Sequence, residues 1–158
     1  RRLLERERGA YWTYVFFTGD RYLIGASPER HVSIHDGDVR MNPISGTFRT
    51  KGLTTHAEKT AALLEFLRDE KEIYELFMVV DEELKMMSAV CSDGGRITGP
   101  HLKVMSRLTH TEYMLRGRSD LDPRGILRAF GELGGHAEDH RALHARGESD
   151  GHFFTVGR

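Results

Sequence analysis

At Thr54 the spacing of apolar residues changes from every second position to every third or fourth, and this constrains the fold more than any other feature. Upstream, Tyr11 to Phe17 is rich in aromatic and β-branched residues, Thr18-Gly19-Asp20 has turn chemistry, and Tyr22 to Gly25 resumes an apolar run. Two strands joined by a hairpin are expected there. His31-Val32-Ser33-Ile34-His35 and Val39-Arg40-Met41 alternate about Asp36-Gly37-Asp38, the strongest hairpin signal in the chain. Downstream, Thr54 or Thr55 caps a helix to about Arg68 with Ala61, Leu64 and Leu67 along one face. A second helix from Lys71 to Cys91 carries Ile73, Leu76, Phe77, Val80, Leu84, Met87 and Cys91 at the spacing of a buried stripe. Segments around Ile97, Val104-Met105 and Tyr113-Met114-Leu115 read as short strands, and Asp122-Pro123 opens a helix through Leu127. This order predicts an α+β class, a partial layered fold of antiparallel β-sheet with flanking helices over residues 1–129. Residues 130–158, with His136, His140, His144 and His152 among many charges, are expected to form a divergent, weakly ordered tail.

The 158 residues suffice for one domain. Lys+Arg 23 against Asp+Glu 24 leaves no general electrostatic grip on nucleic acid. Apolar runs such as Phe77-Met78-Val79-Val80 are too short to span a bilayer, so no membrane partner is expected. A lone Cys91 makes no internal disulfide and fits a cytoplasmic setting. The start, Arg1-Arg2-Leu3-Leu4, has neither an initiator Met nor a signal-peptide core and reads like the interior of a longer chain.

Four segments carry candidate chemistry. Gly25-Ala26-Ser27-Pro28-Glu29-Arg30 puts a carboxylate where a strand meets a turn; alone it is an ordinary surface pair of Glu29 with Arg30, or else a general acid. Asn42-Pro43-Ile44-Ser45-Gly46-Thr47-Phe48-Arg49 joins an extended run to a loop, and Gly46-Thr47 offers free amides and a hydroxyl to an anion, or simply a turn. Glu72 and Glu75 project from one helix face as hard oxygen donors, although helix-surface glutamates are common. His110 lies in a strand, where a structural role is the default.

In this order the segments resemble the C-terminal catalytic domain of the chorismate-utilising enzymes, which include anthranilate, aminodeoxychorismate, isochorismate and salicylate synthases. Glu29 stands seventeen positions before Gly46, as the family's general-acid Glu stands before its Pro-Ile-Ser/Ala-Gly-Thr loop. Lys71-Glu72-Ile73-Tyr74-Glu75 matches its Lys-Glu-x-x-Glu helix, and His110, seven residues before Gly117, matches its histidine beside the bound ring. Val79-Val80-Asp81-Glu82-Glu83-Leu84-Lys85-Met86-Met87 and Leu108-Thr109-His110-Thr111-Glu112-Tyr113 look like the phenazine-pathway 2-amino-2-deoxyisochorismate synthases and similar fused anthranilate synthases.

The resemblance implies that ammonia, supplied by a glutamine amidotransferase domain or subunit, adds to chorismate beside the ring carboxylate while the hydroxyl across the ring departs. It implies Mg2+ held by Glu75 with support from Glu72, substrate hydrogen bonds from Gly46 and Thr47, proton donation by Glu29, and an orienting His110. Glu29 would need burial or a neighbouring carboxylate to hold its proton near neutrality. The family's Thr-Val-Thr-Gly-Ser/Ala-Pro segment, Arg-Gly-x-Tyr-x-Gly strand and further metal-binding Glu have no match after Ala129, so the segment alone is expected to be weak or inactive. Uncovered sheet edges then favour self-association. Two other readings stay open: a non-catalytic remnant acting as a binding module, and zinc or nickel held by His136, His140 and His144 on one face of a tail helix.

Overall fold

The computed structural model describes residues 1–141 and 154–156, with side chains to residue 133. A short helix α1 (Arg2–Arg6) leads into an antiparallel hairpin, β1 (Trp12–Phe17) and β2 (Tyr22–Ser27). β3 (Arg30–His35) and β4 (Asp38–Asn42) form the expected second hairpin, with Asp36 and Gly37 both at positive φ as a two-residue turn requires. After β5 (Ile44–Arg49) come helices α2 (His56–Arg68) and α3 (Glu70–Val90). The long hairpin β6 (Arg96–Val104) and β7 (Leu108–Arg118) follows, then α4 (Pro123–Arg141) and β8 (Phe154–Val156). β7 is the hub of the larger sheet, in the order β5-β7-β4-β3-β8 with β6 also paired to β7. The α+β layered expectation is met. The histidine row of the tail lies outside the described side chains.

β4 and β5 act as one interrupted strand. One register along β7 runs from Asp38↔Arg118 to Ser45↔Thr111, crossing Pro43, whose carbonyl accepts from the Tyr113 amide at 3.0 Å. The segment Asn42 to Arg49, expected to join an extended run to a loop, therefore continues as an edge strand, because proline lacks an N–H but keeps its acceptor.

One face of the sheet is apolar and carries the core. Val32, Ile34, Val39, Met41 and Leu115 pack with Leu76, Val80, Met87 and Val90 of α3 and with Ile126 and Phe130 of α4. Full burial of one such side chain contributes about 1.5–3 kcal/mol. On the other face Asp38 accepts from Arg40 and Arg116 at 2.5 Å each. Burial alone would raise the Asp38 pKa, but the two guanidiniums hold it below the usual value.

The stripe expected on α2 is corrected by the structure. Ala61, Leu64 and Leu67 are exposed, and Ala62, Leu63 and Phe66 are the half-buried set. α2 is apolar nearly all round from Ala61 to Leu67, so spacing cannot choose between adjacent stripes; the Phe48 ring, 5.7 Å from that of Phe66, decides it. Ile73 and Phe77 of the α3 stripe are likewise largely exposed.

The start of α2 is a capping box: Thr55 Oγ1 accepts from the Glu58 amide at 3.2 Å, and Glu58 Oε2 accepts from the Thr54 and Thr55 amides at 2.9 Å. These bonds, the Thr55 amide first, lower the Glu58 pKa from 4.5 to about 2. A depressed carboxyl stabilises the folded state above its unfolded value and loses that contribution as pH falls. Amide-exchange protection at Thr54 and Thr55 should therefore be intact above pH 4.5 and disappear towards pH 2, with α3 unaffected. Protection constant across that window would show that Glu58 does not hold this end.

Much apolar surface has no cover. The β1–β2 hairpin presents Trp12, Val15, Phe16, Phe17, Tyr22, Leu23 and Ile24, all about half exposed or more. Among the described residues no helix is long and apolar enough to cross a membrane.

Candidate active site

The register of β5 slips by one residue between Ser45↔Thr111 and Phe48↔Thr109, so Gly46 and Thr47 together oppose His110 alone. This is a β-bulge in an edge strand, and Gly46 adopts φ 60 to make it. The freed Gly46 carbonyl lies 2.6 Å from His110 Nδ1, and Thr47 Oγ1 lies 3.4 Å from the same nitrogen. A carbonyl only accepts, so Nδ1 carries the proton and Nε2 is left for another partner. Alternation along β7 puts Thr111, Tyr113 and Leu115 towards α3 and His110 on the other face. The bulge is where groups from both faces meet.

From the helical side Glu72 reaches the same point. A Cβ on Gly46 would sit 2.5 Å from Glu72 Oε2 and 2.7 Å from Phe66 Cζ, so any larger residue would have to push these side chains aside. Asp69 caps α3 by accepting from the Lys71 amide at 2.9 Å, which orients the first turns that carry Glu72 and Glu75. Glu72 is only 19% exposed and its Oε2 is buried with no hydrogen-bond partner, whereas Glu75 is 47% exposed. Lys71 Nζ lies 3.3 Å from Glu72 Oε1 and 3.0 Å from Glu75 Oε1. The Lys71 pKa is raised by Glu75 first and Glu72 next.

Glu29 sits half-buried at the junction of β2 and β3, its carbonyl accepting from the Ser27 hydroxyl at 2.8 Å. The next residue, Arg30, pairs with Asn42, from which the chain runs into the bulge, so Glu29 and Gly46 belong to one end of the sheet. Contacts thus link Gly46, Thr47, His110 and Glu72 directly and Glu75 through Lys71, and the strand register places Glu29 at the same end of the sheet.

Two groups of residues were not singled out by the sequence. Lys71 enters the sequence pattern only as the first residue of a motif, although its spacing to Glu75 is that of a helix ion pair. A charged layer also lies on the His110 face: Lys103 pairs with His110 across β6–β7, and its ammonium stands 3.7 Å from the Tyr11 ring centroid. Arg30 lies 5.0 Å from that centroid. Burial lowers the Lys103 pKa and raises that of Tyr11. Nothing in the spacing of residues 11, 30 and 103 announces this contact.

The donor set fits a hard divalent cation in part. Glu72 and Glu75 share one cation already, and Glu72 Oε2 is an orphaned buried acceptor. Among the described residues no cluster of three or more His, Cys, Asp or Glu could hold a metal; a cation held by Glu72 and Glu75 would need water or other oxygen donors to complete its shell.

Residues 1–130 match the profile of a family described as chorismate binding enzyme. Over 128 residues the chain is 55% identical to the phenazine-specific anthranilate synthase of Pseudomonas chlororaphis, covering 81% of this chain and 20% of that one. It is 30% identical over 140 residues to anthranilate synthase component 1 of Methanothermobacter thermautotrophicus, covering 84% and 30%. Among solved structures, anthranilate synthase component I of Streptococcus pneumoniae TIGR4 superposes with a TM-score of 0.63 at 26% identity, over 80% of this chain and 27% of that one. The menaquinone-specific isochorismate synthase of Escherichia coli, 17% identical with a TM-score of 0.63 over 80% of this chain and 31% of that one, shares the fold. The chain spans about a fifth to a third of the length of these relatives.

Proposed function

The chain belongs to the chorismate binding enzyme family, and on that footing we propose that it is a segment of an enzyme that adds ammonia to chorismate, of the anthranilate synthase or aminodeoxyisochorismate synthase type. The observation that carries this reading is the meeting at Gly46 of Glu72 from one face of the sheet and His110 from the other. The identity to a phenazine-specific anthranilate synthase supports the amination class.

The substrate is a dianion, so its binding is first a problem of charge. The bulge supplies amides and the Thr47 hydroxyl as donors to the ring carboxylate. Glu72 and Glu75 would hold Mg2+, which supplies Lewis-acid anchoring of that carboxylate when bound. Hydroxide is a poor leaving group, so Glu29 delivers its proton to the departing oxygen, which leaves as water. His110, its Nδ1 proton committed to Gly46, turns Nε2 towards the ring and orients it. Ammonia comes from a glutamine amidotransferase domain or subunit of the whole enzyme.

Calorimetric titration of the chain with chorismate, with and without MgCl2, tests this. Magnesium-dependent binding is expected, weakened roughly tenfold or more by Glu75→Ala, since removing a hard ligand from a two-carboxylate site leaves little to hold the ion. Identical heats without magnesium or in the variant would defeat the assignment. Two protein donors are a sparse site, so turnover with chorismate, magnesium and ammonium is expected to be slight for this segment by itself.

A further inference from the structure

Lys71 occupies the place of a cation. Its ammonium lies within 3.3 Å of one oxygen from each of the two carboxylates, closing a three-cornered contact on the first turns of α3. Lys71 and Glu75 alone would be an ordinary pair at helix spacing. Glu72 makes the difference, because its carboxylate is largely dry, its second oxygen has no donor, and the Gly46 bulge walls it in. Two carboxylates facing one ammonium, one of them poorly solvated, form a ready-made seat for a single positive charge. The Lys71 side chain is 67% exposed, so it can turn away into water without disturbing the fold.

We propose that Lys71 is the resident counter-cation of the Glu72–Glu75 pair, holding the two carboxylates aligned while no metal is bound and yielding its place to a divalent cation by swinging its ammonium into solvent. The proposal rests on the magnesium reading above and adds an exchange to it. A dication attracts each carboxylate about twice as strongly as an ammonium at the same distance, so the exchange runs towards metal. Lys71 then acts as a built-in competitor, and the pair is never bare.

The test is calorimetric titration of the chain with MgCl2 at fixed ionic strength, for the wild type, Lys71→Met and Lys71→Arg, together with the 15N-lysine NMR signal of Lys71 in the wild type. Lys71→Met should bind Mg2+ roughly three- to tenfold more tightly at low salt, the gain shrinking as KCl is added. Lys71→Arg should stay close to the wild type. The Lys71 ammonium signal should move on magnesium addition to the position of a solvated lysine. Equal or weaker magnesium binding by Lys71→Met, or a Lys71 signal that does not move while the ion binds, overturns the counter-cation role and leaves the metal site standing. Absence of magnesium binding in all three proteins overturns the metal site and the exchange with it.

Discussion

Gly46→Ala is expected to destabilise the chain by about 2–4 kcal/mol, and two separable causes contribute. A residue with a Cβ at φ 60 bears about 1–2 kcal/mol of left-handed strain. The new methyl would also sit 2.5 Å from Glu72 Oε2 and 2.7 Å from Phe66 Cζ, and pushing these two side-chain ends aside costs about 1–2 kcal/mol. Gly52→Ala separates them, because Gly52 has φ 91 and nothing within 4 Å of its Cβ position, so that variant carries strain alone. Urea unfolding of the two should show the larger loss at Gly46, with the His110 ring signals shifting only there. Equal losses would mean that Glu72 and Phe66 do not close on the bulge.

Phe130→Ala is the larger perturbation, expected to cost about 3–5 kcal/mol through lost burial and the cavity left behind. Phe130 is 1% exposed and meets the His31 ring edge-on at 6.2 Å, so it fastens α4 to the sheet. Natural domains are stable by about 5–15 kcal/mol, and a chain with its β1–β2 hairpin uncovered sits low in that range. The variant should retain no more than about 2 kcal/mol, seen as a sharply lowered urea midpoint by circular dichroism. A loss below about 1 kcal/mol would show that α4 is not docked through this side chain.

The α+β class was legible because periodicity is local. The Asp36-Gly37 hairpin and the buried Leu76, Val80 and Met87 of α3 follow from spacing alone. β5 was not, because Asn-Pro and Ser-Gly-Thr have turn chemistry, and only the partner strand β7 reveals that the pairing runs through Pro43 and survives a bulge. Ile73 and Phe77 obey the helical period yet stay exposed, since spacing says which residues share a face but not what covers it. At the candidate site, the order of Glu29, Gly46-Thr47, Glu72, Glu75 and His110 was enough to suggest the family that the profile match bears out. Their roles remain proposals. The contact of Gly46 with His110 spans 64 positions and has no local signature. The dryness of Glu72 is equally invisible in a motif, because it is a property of Phe66 and the bulge around it.

The two-against-one count at Gly46 and Thr47 has a genetic corollary. Loss of a single codon there would let the edge strand zip along its neighbour without interruption, a smoother ladder than the native one. The shortened protein would gain regularity and lose the carbonyl that meets His110, while Phe48 and Arg49 would keep their partners on β7. Drift towards the tidier ladder is thus a standing hazard for this segment, and only selection for what the irregularity presents can oppose it.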